Sequence, residues 1–193
     1  MLCRPMTKIS KLLFASIFSF SVTATASAQV IVQGGGTAQE CYMSTKTGNP
    51  GRINAIRSCE AALAEFLPPK DKAATHVNLG VLLMRKGDYA DAQTHYAKAI
   101  KVQPNLAEAH INHAASLIYT SDYKAAIASI DKAIDIGTEK MPEALYNRAV
   151  AYDRLENYKG AYKDLKQALV HRPDWEPALA LLSGYQVTRR AKS

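Results

Sequence analysis

Signatures of catalysis are missing from this chain of 193 residues. It has no Gly-x-Ser-x-Gly elbow, no His-Glu-x-x-His pair and no paired-cysteine metal pattern, which removes the usual sequence grounds for nucleophilic or zinc chemistry. Its single glycine cluster, Gly34-Gly35-Gly36, lacks the following Lys-Ser/Thr that would hold phosphate and magnesium. The triplet reads as a flexible leader instead. The apolar run at residues 12–22 falls short of the roughly 20 residues a membrane-spanning helix needs. Basic residues outnumber acidic ones 24 to 17, but they are dispersed rather than clustered. Such a surplus allows weak attraction to acidic partners and speaks against a nucleic-acid surface.

What is present at the N-terminus is a targeting pattern. Arg4, Lys8 and Lys11 precede the short apolar run, and Ala26-Ser27-Ala28 supplies the small-x-small sequence of a signal-peptidase site. Residues 1–28 are therefore expected to be a signal peptide cleaved after Ala28, with no stable membrane insertion afterwards. No cysteine follows the cleavage site, so a lipoprotein is not indicated. The released chain would start at Gln29 and carry 21 basic and 17 acidic residues, a balance of +4. A periplasmic or secreted protein is the expectation. Of the three cysteines, Cys3 leaves with the signal. Cys41 and Cys59 remain, and in an oxidising compartment two cysteines most simply form one disulfide. Closing a loop of that length stabilises by roughly 3 kcal/mol in the chain-entropy picture. A redox-active pair is the alternative, and it would need closer spacing.

The rest of the chain repeats itself. Gly87-Asp88-Tyr89-Ala90-Asp91-Ala92, Ser121-Asp122-Tyr123-Lys124-Ala125-Ala126 and Glu156-Asn157-Tyr158-Lys159-Gly160-Ala161 place tyrosines at intervals of 34 and 35 residues. Three ladders of small residues follow the same register: Gly80, Ala114, Ala149; Ala92, Ala126, Ala161; and Ala99, Ala133, Ala168. Small side chains at these points let antiparallel helices approach closely, with Leu79, Leu83, Tyr96 and Ile100 filling between them. Asp88, Asp122 and Asn157 stand where a side-chain oxygen caps a new helix. Pro104 and Pro173 stand where a helix must stop. A period of this size means stacked two-helix units, each burying its apolar face against its neighbours.

These residues resemble the tetratricopeptide repeat (TPR) family. Its pattern appears as His76-x2-Leu79-Gly80-x2-Leu83, Ala92-x3-Tyr96, Ala99 and Pro104. The second unit reads His110-x2-His113-Ala114-x2-Leu117, Ala126-x3-Ile130 and Ala133, with Thr138 in place of proline. The third reads Leu145-x2-Arg148-Ala149-x2-Tyr152, Ala161-x3-Leu165, Ala168 and Pro173. The resemblance implies an all-α fold, a right-handed superhelical stack of antiparallel helix pairs with units at 73–106, 107–141 and 142–175. Ahead of them, residues 29–36 form the flexible leader. Residues 37–72 read as a degenerate hairpin stapled by Cys41–Cys59: a short helix around Gln39–Tyr42, a Gly/Pro turn, and a helix over 52–67. Ala178, Leu181, Leu182 and Tyr185 form an apolar stripe after Pro177, so 176–193 is expected to be a capping helix ending in the basic tail Arg189, Arg190 and Lys192.

The family also implies a mode of action: binding a protein or peptide segment in a concave groove, with no cofactor and no catalysis. Asn78, Asn112 and Asn147 form a ladder on the first helix of each unit, where the family uses asparagine to hydrogen-bond a ligand backbone. An amide suits that task because it donates and accepts. Linking neighbouring helices is the structural alternative for the same ladder. Val77, Val81, Arg85, Ile111, Tyr119, Tyr146 and Arg154 complete the predicted groove lining. Val77 and Val81 stand where a carboxylate clamp would have lysine and asparagine, and Glu108 and Glu143 add negative charge, so an internal segment is the expected ligand. Two competing readings stay open: metal handling or enzyme-accessory work by His76, His110 and His113, and self-association as a structural homo-oligomer. For the histidines, packing between helices is the plainer explanation.

Overall fold

The computed structural model describes residues 2–5, 30–32, 36–47 and 55–188. Its helices are α1 (Thr37–Lys46), α2 (Ala55–Ala64), α3 (Pro69–Lys86), α4 (Tyr89–Val102), α5 (Ala107–Tyr119), α6 (Tyr123–Ile136), α7 (Met141–Arg154), α8 (Tyr158–His171) and α9 (Glu176–Ser183). The pairs α1/α2, α3/α4, α5/α6 and α7/α8 are hairpins, each helix packing on its hairpin partner and then on the next unit, with α9 against α8. The first helices of successive units also touch, α3 to α5 and α5 to α7, which is the signature of a superhelical stack. Among the described residues, no helix is long and apolar enough to cross a membrane.

The three ladders of small residues lie where the helices meet. Gly80, Ala114 and Ala149 sit between their hairpin helices, and Ala92, Ala126, Ala161, Ala99, Ala133 and Ala168 are fully buried. Tyr96, Ile130 and Leu165, one per unit, are the large side chains that fill the space between helices. The turns inside the units need a left-handed residue. Gly87 takes it at φ 92°, while Ser121 at φ 65° and Glu156 at φ 59° do so without glycine's freedom. Between units two and three, Gly137 ends α6 in the left-handed region, and the Thr138 hydroxyl accepts the Lys140 N–H at 3.0 Å. That turn accommodates the extra residue of the second period.

Several local expectations change. Asp122 and Asn157 cap their helices, accepting from the N–H of Ala125 at 3.3 Å and of Gly160 at 3.1 Å. Asp88 does not; its carboxylate is held by the Lys86 ammonium at 2.6 Å instead. The helix expected over 52–67 is described from Ala55 and stops at Ala64, because Pro68 and Pro69 follow, and this leaves Phe66 beyond the helix and 98% exposed. Disulfide-linked Cys41 and Cys59 join α1 to α2 with Cα atoms 4.7 Å apart, and the Arg85 guanidinium donates to the Thr45 carbonyl at 2.6 Å, tying α1 to α3.

The capping helix is shorter than its apolar stripe. It ends at Ser183, and Tyr185 opens a strand, β2 (Tyr185–Thr188), that pairs antiparallel with β1 (Leu2–Pro5) in register Leu2 to Thr188. The Tyr185 hydroxyl donates to Asp153 Oδ1 at 2.5 Å and its ring lies near Tyr158 and Tyr162, so it still packs on the last unit. Among the described residues, this ribbon is the exception to the helical stack. Arg189, Arg190 and Lys192 lie outside the described residues, as do Gly34 and Gly35.

Candidate functional site

The first helices of the units place Asn78, Asn112 and Asn147 in one row, and all three are fully buried. Their amides are not equivalent. Asn78 Oδ1 accepts the backbone N–H of Val30 at 3.2 Å, and its Nδ2 donates to the Val30 carbonyl at 3.0 Å. Both polar groups of one extended residue are thus paired with one side chain. Asn147 is the opposite case: among the described residues, neither its Oδ1 nor its Nδ2 has a hydrogen-bond partner. A buried amide left in that state is costly.

The leader was expected to be flexible throughout. Val30–Val32 instead runs along α3, with Val32 buried against Ala38 of α1, Ala62 of α2 and Ala74 of α3. Ile31, between them, points outward and is 64% exposed. That alternation is the mark of extended chain. A run of β-branched residues ahead of a glycine cluster was the sequence signal for it.

The predicted lining divides into two sets. Val77, Val81, Ile111 and Tyr146 are buried between helices, because the neighbouring first helices and the leading hairpin close over them. They support the face rather than surface it. Arg85 and Tyr119 are half-buried, and Arg154 is exposed. Tyr119 stacks on Tyr89 with ring centroids 4.4 Å apart. At the far end, Tyr146 meets Trp175 at 5.1 Å, and the Arg172 guanidinium lies 4.8 Å over the Trp175 ring while bonding Glu143 at 2.7 Å. Burial, and then the neighbouring Tyr119, push the Tyr146 hydroxyl up, so it stays neutral. Trp175 and Arg172 were missed in sequence because they fall in the connection between the third unit and the capping helix. Glu143, one helical turn before Asn147, has its second carboxylate oxygen buried without a partner among the described residues.

The histidines are separated into structural pairs. His76 Nδ1 lies 3.1 Å from His95 Nδ1, so His95 has a partner that the sequence did not suggest. Burial, and then His95, lower the His76 pKa to about 4. His110 Nε2 bonds the Pro104 carbonyl at 2.9 Å, and the Ser129 hydroxyl donates to the His110 carbonyl at 3.1 Å. Among the described residues, no three His, Cys, Asp or Glu side chains gather into a metal-holding group. His76, His110 and His113, the trio of the competing metal reading, are not brought together as ligands; each packs against its own second helix or turn.

A further polar cluster joins three helices. Arg148 of α7 forms two hydrogen bonds to Asp164 of α8, at 2.7 and 3.0 Å, and one to Asp131 of α6 at 2.6 Å. The Asp164 bonds, chiefly, hold the guanidinium firmly in its charged form.

This geometry meets known proteins in the repeat itself. Tetratricopeptide repeat models match residues 71–139 and residues 142–174, together just over half of the chain. The chain belongs to the tetratricopeptide repeat family. Repeats of this family are in general non-catalytic interaction modules. A related protein is a DnaJ homolog subfamily C member 7 homolog of Schizosaccharomyces pombe, 29% identical over 96 residues, covering 48% of this chain and 20% of that protein. The chain therefore spans about a fifth of that relative's length. Among solved structures, MamA from Desulfovibrio magneticus RS-1 superposes with a TM-score of 0.62 at 22% identity, over 77% of this chain and 82% of that one. The second TPR domain of human RPAP3, in complex with an HSP70 peptide, gives 0.57 at 22% identity, over 60% and 96%. The Arabidopsis OM64 TPR domain gives 0.58 at 23%, over 60% and 95%. At these identities the likeness is one of fold.

Proposed function

We propose that this TPR chain is an exported interaction module that holds a partner protein's extended segment along the inner face of its repeats. One observation carries the reading. Asn78 pairs with both backbone groups of an extended residue, while Asn147, at the same place in the third unit, is buried with its amide unpaired among the described residues. A peptide backbone passing that position is the natural complement, because it offers a donor and an acceptor together. Tyr89, Tyr119, Trp175 and the Arg172–Glu143 pair supply the aromatic and charged rim typical of protein contacts. The RPAP3 domain, similar in fold, is in complex with a peptide, and that property of RPAP3 supports the reading.

The test is a crosslinking pull-down with wild type and an Asn78→Ala/Asn112→Ala/Asn147→Ala chain checked to be folded. A partner captured by the first and lost by the second supports the inner face. A partner kept equally by both moves the site to the outer face or the disulfide-bearing hairpin. Export rests on the signal pattern ending at Ala28 and is favoured by the Cys41–Cys59 bridge. Mass analysis of the periplasmic or secreted fraction should find a chain starting at Gln29; full-length chain confined to the cytoplasm would refute export.

A further inference from the structure

Val30–Val32 makes, within the molecule, the set of contacts that an extended ligand would make. Both backbone groups of Val30 go to one asparagine of the ladder. Val32 enters a site walled by Ala38, Ala62 and Ala74, three alanines from three different helices, whose small side chains leave room for a β-branched residue. Ile31 makes no such contact and faces solvent. Side chains alternate in and out, and the backbone unit that would otherwise be unpaired is held. The third-unit asparagine has no counterpart to this segment among the described residues.

We propose that Val30–Val32 is an intramolecular occupant of the first repeat's ligand position, a strap that a partner's extended segment must displace to reach Asn78. The proposal rests on the inner-face reading above and deepens it by naming a ligand class. The first position accepts extended chain with β-branched apolar residues at alternate positions, because that is what the alanine-walled site and Asn78 jointly fit. Only residues 33–36 separate Val32 from α1, so the strap is presented at an effective concentration in roughly the millimolar range. A free segment of equal intrinsic affinity therefore competes poorly at Asn78. Asn147, outside the strap's reach, takes a partner first.

The experiment uses the purified chain and a synthetic peptide with the sequence of residues 28–34. By residue-resolved hydrogen exchange, the Val30 amide is expected to exchange about 100-fold more slowly than unstructured chain. Asn78→Ala should cut that protection to less than about tenfold, while amides of Leu82 and Ile111 keep theirs. The peptide should bind a Val30→Asp/Val32→Asp chain and bind wild type at least about tenfold more weakly. Val32→Ala is the milder variant and should fall between the two. An unprotected Val30 overturns the strap, as does a peptide that binds wild type and variant alike or binds neither. Partner capture lost on Asn112→Ala/Asn147→Ala, which leaves Asn78 intact, tests the inner face separately, so either reading can fail alone.

Discussion

Gly80 and Tyr96 offer the sharpest test of how the repeats pack. A Cβ added at Gly80 would lie 2.4 Å from Tyr96 Cε1, 2.8 Å from Cζ and 2.9 Å from Cδ1. Tyr96 is fully buried and cannot swing away. Replacing a mid-helix glycine with alanine gains about 1 kcal/mol of helix propensity. Overpacking a tight core costs typically 1–3 kcal/mol, and a clash along three atoms of an immobile ring belongs at the upper end, about 3 kcal/mol. The clash wins, and Gly80→Ala should destabilise by about 2 kcal/mol net, lowering Tm by about 4–8 °C for a chain of this size. The other units indicate the compensation: Ala114 accompanies Ile130 and Ala149 accompanies Leu165, with all four buried. Adding Tyr96→Leu should therefore recover stability, with a coupling of about 2 kcal/mol in a double-mutant cycle. Tyr96→Leu also removes a buried hydroxyl that has no partner among the described residues. Urea unfolding followed by far-UV circular dichroism measures all four proteins of the cycle. If Gly80→Ala is neutral or stabilising, or the two changes simply add, the close contact does not govern this interface.

The Arg148 cluster should respond unevenly. Asp164 is almost wholly buried, so Arg148→Ala leaves an uncompensated carboxylate and should cost about 3–5 kcal/mol. Asp131 is half-exposed, and Asp131→Asn should cost less than about 1 kcal/mol; equal losses in denaturant titrations would refute the assignment. His76 predicts a pH dependence. Its folded pKa, about 4, lies below the ordinary 6.5, so the unfolded chain binds the proton more readily. Stability from this group is present above pH 6.5 and lost progressively as pH falls from there through about 4. The lowered pKa values of His95 and His113 act in the same direction. A His76→Phe chain should show a visibly flatter loss of Tm between pH 7 and pH 4, and an unchanged slope would count against burial of a neutral His76 pair.

The repeat was legible because it is written in short-range spacing. Tyrosines, alanines and prolines at a fixed interval compel helix pairs whose apolar faces can be covered only by neighbours, and the structure follows that register through α3 to α8. The asparagine ladder was legible for the same reason, since one residue per unit repeats with the period. The disulfide partners were legible by count alone. Local competition decided Asp88, where a lysine two residues earlier takes the carboxylate from the helix start.

The tertiary structure decided everything that depends on distant residues meeting. Val30 and Asn78 are 48 residues apart, and no periodicity connects a leader outside the repeats to a side chain within them. Arg148 reaches aspartates on both flanking helices, His76 finds His95 across a hairpin, and Trp175 closes over Tyr146 from the following connection. Sequence alone determined which residues share a helix face, because 3.6 residues per turn is a local rule. Which of those faces water and which is sealed depends on the helices stacked beside it, and so Val77, Val81 and Ile111 became interior while Asn147 was left buried with its amide unpaired among the described residues.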